Sequence, residues 1–141
     1  MSDKKLKVIV TRKLPDPVEL RLKELFETEL NESDKPFSRE ELADAILRAD
    51  ILVPTVTDQL DGKLISKAGD QLKLIAQFGA GVDNIDVETA SKRGISITNT
   101  PGVLTDDTAD VAMALILSVP RRLHEGVPVM EQGTFDGWSP T

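Results

Sequence analysis

The sequence predicts an α/β fold, a doubly wound parallel sheet of five strands in the order 2-1-3-4-5 followed by an apolar C-terminal helix. Two observations predict the sheet. Five short apolar, β-branched runs alternate with four helical segments from Lys7 to Thr100, and parallel strands need helical crossovers of this kind. No repeat, low-complexity tract or Ser/Gly linker interrupts that rhythm. The third observation predicts the added helix: after Thr100 the alternation stops and the strongest apolar run of the chain begins. The pattern does not dictate strand order, but 2-1-3-4-5 is the commonest arrangement for five strands of this size.

The elements follow in order. "KVIVTR" (7–12) is the first strand, and "DPVELRLKELFE" (16–27) the first helix, with apolar residues at Val18, Leu22, Leu25 and Phe26. Asp16 is its expected cap, and Pro17 stands in the first turn, where a missing N–H costs nothing. "TELNE" (28–32) is a weak second strand. In "SREELADAILRA" (38–49), Ser38 and Glu41 have the spacing of a capping box. "DILVPT" (50–55) is the third strand, "DGKLISKAG" (61–69) a short helix, and "LKLIAQFG" (72–79) the fourth strand. "DVETASKRG" (86–94) is a helix that Asp86 caps and Gly94 ends, and "ISITNT" (95–100) is the last strand.

From "TPGVLT" onward the chain reads as a Pro-Gly turn, a cap at Thr105, and a helix carrying Asp106 and Asp107 at the positive end of its dipole. From Ala109 to Val119 that helix has no sustained polar face, and a helix apolar all round must be buried all round. Two arrangements remain open: a core helix under the sheet, or a helix that needs a second domain or subunit. Pro120 and Pro128 are each expected to kink or end helical structure, and the remaining tail is expected to form no further element.

Composition narrows the function. The 141 residues amount to one ordinary domain, 40% hydrophobic and 29% charged. A net charge of -7 argues against nucleic-acid and anionic-membrane surfaces, which depend on clustered Lys and Arg. The absence of cysteine excludes disulfides and thiolate-ligated metals, and no metal site is expected. With neither an apolar leader nor a run of 18 apolar residues, a cytoplasmic location is expected.

The stretch "QFGAGVDN" (77–84) follows the fourth strand and invites a nucleotide reading. Gly79 and Gly81 fit the first half of the dinucleotide fingerprint G-x-G-x-x-G, but the third glycine would fall at Asn84. The next strand ends in Asn99 and Thr100 where an acidic residue is needed to hold the ribose. A diphosphate site is therefore not expected here. The turn either holds a smaller anion on its backbone N–H groups or is a bare strand-to-helix turn.

Together, "LKLIAQFGAGVDNIDVETASKRGISITNTPGVLTDDTADVAMALIL", "RRLHEG" and "GTFDGW" resemble the N-terminal part of the D-isomer-specific 2-hydroxyacid dehydrogenases, most closely the glyoxylate/hydroxypyruvate reductase group. The resemblance covers about Lys7 to Trp138. It implies a flavodoxin-like substrate domain (1–104) and an interdomain or dimerisation helix and tail (105–141) leading to a Rossmann domain beyond the chain. It implies reduction of a small 2-oxo acid such as glyoxylate or hydroxypyruvate with NAD or NADP, in a homodimer.

The resemblance also implies that Ala80 and Gly81 offer N–H groups to the substrate carboxylate, with Gly79 and Val82 shaping the turn. Ala80 would also border the nicotinamide. Thr55 and Val56 would line the substrate unless they form a plain edge turn. Thr108 would border the cofactor unless its hydroxyl merely satisfies its own helix start. Gly81 is expected to tolerate a positive φ. The acid/base histidine, its glutamate and the substrate arginine of the family have no counterpart in the chain, so no catalytic residue is expected. His124, the one histidine, is expected at the surface. The implied state is a truncated substrate-binding part, inactive alone.

Two other classes compete. A phospho-receiver domain shares the strand order but needs acidic residues where "TRK" (11–13) and "PT" (54–55) stand. A non-enzymatic module would use the apolar helix to pair two copies.

Overall fold

The computed structural model describes residues 5–140. The chain divides into two compact units, one ending at Gly102 and one beginning at Val103. The first holds five parallel strands in the order β2-β1-β3-β4-β5, the order expected. They are β1 (Lys7–Val10), β2 (Glu27–Glu29), β3 (Ile51–Val53), β4 (Leu74–Ala76) and β5 (Ser96–Thr98). The crossovers carry α1 (Asp16–Leu25), α2 (Arg39–Arg48), α3 (Gly62–Ile65) and α4 (Val87–Lys92).

Register explains the core. Ile9, Leu52, Ile75 and Ile97 pair in succession and form one row across the sheet. Ile9, Leu52 and Ile75 pack with Leu42, Ala45 and Ile46 of α2, Leu64 and Ile65 of α3, and Ala90 of α4. On alternate positions Val8, Val10 and Val53 form a smaller cluster with Leu14, against which Leu22 of α1 packs, as the two-residue period of a strand requires.

The caps show why the helices start where they do. Ser38 Oγ accepts from Glu41 N while Glu41 returns a carboxylate oxygen to Ser38 N at 2.7 Å, completing the capping box. Asp61 and Asp86 accept from Leu64 N and Thr89 N, each at 2.8 Å. Gly94, at φ +70°, takes the chain out of α4.

Several boundaries depart from expectation. The cap of α1 is Pro15, with Asp16 already inside the helix, because proline's fixed φ supplies the extended entry one residue earlier. Glu19 Oε1 instead accepts from Leu14 N at 2.8 Å. β2 occupies 27–29 instead of 28–32, since Lys7–Ile9 pair there. Asn31 has turned its Nδ2 to the carbonyls of Thr11 and Lys35, each at 2.7 Å.

The second unit consists of α5 (Thr105–Ser118) and α6 (Leu123–Glu131). Leu104, not Thr105, is the cap position of α5, and no side chain caps it. Pro120 lies just past the end of α5, consistent with its missing N–H. The tail, expected to form no element, contains α6, and Pro128 lies within it without ending it. Leu123, Val127 and Met130 recur at helical spacing and line an apolar hollow of about 530 Å³ with Phe135. Arg122, at φ 52°, makes the left-handed link between the helices. His124 is exposed, as expected. No residue of α5 or α6 is buried. Among the described residues no helix is long and apolar enough to cross a membrane.

Candidate substrate site

In an open parallel sheet, ligands gather beyond the carboxyl ends of the strands, near the point where strand order reverses. Here that reversal lies between β1 and β3. One strand further along, beyond the carboxyl ends of β3 and β4, the loop after β3 (54–59) and the glycine turn after β4 (77–84) meet. Thr55 and Phe78 form an isolated parallel bridge, and Phe78 N donates to Pro54 O at 2.8 Å. Val56, Gln59, Gly81, Asp83 and Asn84 line an open cleft of about 450 Å³ between them.

The turn has a marked polarity. Its carbonyls are occupied: Gly79 O accepts from Thr100 N at 3.0 Å, Ala80 O from Asn99 Nδ2 at 2.8 Å, and Val82 O from Ile85 N at 2.9 Å. Gly81 O receives a longer bond from Gln77 Nε2 at 3.4 Å. The N–H groups of Ala80, Gly81 and Val82 meet no acceptor among the described residues, and Ala80 and Gly81 are exposed. Tied-back carbonyls and open donors make a partial positive surface suited to a small anion. Asp83 is the one lining group that opposes an anion.

Glycine is needed at 79 for space. A Cβ there would stand 2.6 Å from Val56 Cγ1, so the Val56 side chain lies against the bare Cα. At Gly81 a Cβ would meet only Asp83 Oδ2, at an ordinary 3.7 Å, and the backbone is not left-handed. Gly81 does not use the positive φ that glycine tolerates.

Beneath the turn is a buried polar framework. Asp58, 2% exposed, accepts at Oδ2 from the Thr11 hydroxyl at 2.5 Å and from Thr55 N at 2.8 Å. Gln77, also 2% exposed, donates to Asn84 Oδ1 at 2.8 Å. Asn84 Nδ2 donates to the carbonyls of Thr55 and Asp58 at 3.1 and 2.7 Å. At the outer rim Arg12 reaches Thr57 Oγ1 at 3.2 Å and pairs with Asp34 at 2.9 Å. Hydrogen bonds from Arg12 and from Lys13 N hold the Asp34 carboxyl below its usual range.

The structure thus brings Thr55, Val56, Gly79, Ala80 and Gly81 together. Thr108 lies in the second unit, where its hydroxyl donates to the carbonyl of Leu104, four residues earlier, at 2.7 Å. Asp58, Gln77 and Asn84 escape a reading of the sequence, in which Asn84 figures only as a missing glycine. Their signal is the presence of Gln and Asn on either side of "FGAGVD", where an apolar core would otherwise run.

A diphosphate favours an open helix N-terminus, and those of α3, α4 and α2 are occupied by Asp61, by Asp86 and by the Ser38–Glu41 capping box. A hollow of about 710 Å³ beside β2 is lined by Glu29, Glu32, Glu40, Glu41 and Asp44, with Arg48 as its one cation, which disfavours an anionic ligand. Among the described residues no cluster of metal-ligating side chains occurs.

The sheet and turn form an open α/β domain with a small polar cleft beyond the carboxyl ends of β3 and β4. The chain belongs to the family described as D-isomer specific 2-hydroxyacid dehydrogenase, catalytic domain, whose match spans residues 4–135. Among its relatives, the glyoxylate reductase of Thermococcus litoralis is 44% identical over 140 residues, 96% of this chain and 42% of that protein. A crystal structure of a Thermus thermophilus protein aligns with a TM-score of 0.81 and 40% identity, covering 96% of this chain and 43% of that one. The NADPH-dependent glyoxylate/hydroxypyruvate reductase of Sinorhizobium meliloti, solved with NADP and malonate, aligns with a TM-score of 0.72 and 31% identity, over 92% and 39% of the two chains. The chain thus spans about two-fifths of the length of these relatives.

Proposed function

We propose that residues 1–104 are the substrate domain of an NAD(P)H-dependent reductase of small 2-oxo acids, of the glyoxylate or hydroxypyruvate type. One observation carries this reading: the turn at 79–82 has its carbonyls tied back and the N–H groups of Ala80, Gly81 and Val82 open. A carboxylate at those donors forms charge-assisted hydrogen bonds, and the 450 Å³ cleft suits a small acid. Relatives named glyoxylate reductase support the substrate class.

In this reading Ala80 and Gly81 orient the acid, and Thr55 and Val56 bound its other side. A bound nicotinamide would supply the hydride, with Ala80 beside it. Its diphosphate would be held outside the first unit, where the starts of α2, α3 and α4 are already capped by side chains. Residues 1–104 form the substrate domain, and 105–141 lead to a nucleotide domain and contribute to a homodimer in the cytoplasm.

The test assays the full-length protein with NADH or NADPH and either glyoxylate or hydroxypyruvate. Gly81→Val is expected to lower kcat/KM for the acid by about ten- to a hundredfold, the cost of lost charge-assisted bonds, without changing cofactor affinity or melting temperature. A wild-type protein inactive on both acids overturns the reading.

A further inference from the structure

The loop after β3 and the glycine turn after β4 share one side chain. Asn84 reaches across the base of the cleft, donating through Nδ2 to Thr55 O at 3.1 Å and Asp58 O at 2.7 Å. It accepts at Oδ1 from Gln77 Nε2 at 2.8 Å. Its own carbonyl accepts from Leu60 N at 2.9 Å. Both ends of this bridge are anchored. Gln77 is buried, and its N–H donates to Thr98 O at 2.8 Å. Asp58 is buried, and its carboxylate holds Thr11 and Thr55 N.

We propose that Asn84 is a positioning residue for the substrate carboxylate. It fixes the spacing between Thr55–Val56 on one wall and the open N–H groups of Ala80 and Gly81 on the other. This rests on the reading that the turn holds a carboxylate. The amide chemistry is specific: two carbonyls face Nδ2 and need a donor, while Gln77 needs an acceptor. A carboxylate at 84 keeps the acceptor but sets negative oxygen against two carbonyls. Glutamine carries the right groups one methylene too far out.

The test uses the full-length protein and its Asn84→Asp variant. The expected result is a rise of about tenfold in KM for glyoxylate, about 1.4 kcal/mol, with KM for the nicotinamide cofactor unchanged. A merely structural role would lower melting temperature and weaken both substrates together, or change neither KM, and either result overturns the proposal.

A second measurement needs no variant. In the wild type titrated with oxalate, the Asn84 side-chain amide resonances should shift together with the backbone amides of Ala80 and Gly81. Shifts at Ala80 and Gly81 with none at the Asn84 side chain overturn the positioning role alone. No shift at Ala80 or Gly81 overturns the carboxylate reading on which it rests.

Discussion

Helices α2 and α5 are solved differently by their units. The ten residues of α2 bury Leu42, Ala45 and Ile46 and turn Glu40, Glu41, Asp44 and Arg48 away from the core. α5 is longer, at 14 residues, carries Val111, Met113, Leu115, Ile116 and Leu117, and buries none of them. Apolar content alone therefore does not produce burial. A helix with one apolar stripe is satisfied by a single sheet face, whereas one apolar on several sides needs cover on several sides.

The contrast is sharpest when both regions lose a comparable side chain. Ile75→Ala removes a fully buried member of the row across the sheet and should cost about 2–5 kcal/mol of unfolding free energy in a denaturant titration. Leu115→Ala, at a position 57% exposed, should leave that titration nearly unchanged. It should instead loosen self-association, because apolar side chains at roughly 1.5–3 kcal/mol each when buried favour a covered α5. Sedimentation of the 141-residue chain at micromolar concentration reads this directly. A clean monomer would break the comparison by showing that α5 needs no cover.

A smaller effect tests the edge of the first unit. Arg48 of α2 makes a bidentate pair with Glu29 of β2, at 2.8 and 2.9 Å, and Lys7 adds to it. These partners lower the Glu29 carboxyl from its ordinary 4.5 to about 2. A depressed folded pKa stabilises the fold above the unfolded value, and that contribution fades as pH falls from about 4.5 towards about 2. Glu29 is 44% exposed, so solvent screening limits it to about 0.5–1 kcal/mol. Glu29→Gln should therefore destabilise the protein slightly at neutral pH and converge with the wild type in acid, as urea midpoints would show. An equal gap at both pH values would contradict the ion pair's role.

Much of the first unit is legible in the sequence because its signals are local. Ser38 with Glu41, Asp61, Asp86 and Gly94 each do what residue type and spacing imply. The shifted boundaries arise where distant residues decide. β2 ends where its partner β1 dictates, and Asn31 is drawn away by Thr11 and Lys35. α6 is hidden because a proline at 128 implies a helix break, although Leu123, Val127 and Met130 keep their helical spacing. In the site, the GAG turn stands out by composition. The bridge through Asn84 does not, because its partners Thr55 and Asp58 lie in another loop, more than 25 residues away, and reach it only in the folded sheet.

The central claim is that the open N–H groups of the turn bind a carboxylate. Backbone amide resonances of the full-length protein, followed during titration with glyoxylate in the presence of cofactor, test it most directly. The account predicts saturable downfield shifts concentrated at Ala80 and Gly81, smaller shifts at Thr55 and Val56, and none at the acidic hollow around Glu40 and Asp44. Saturation that moves other residues while Ala80 and Gly81 stay still would show that the turn holds no substrate.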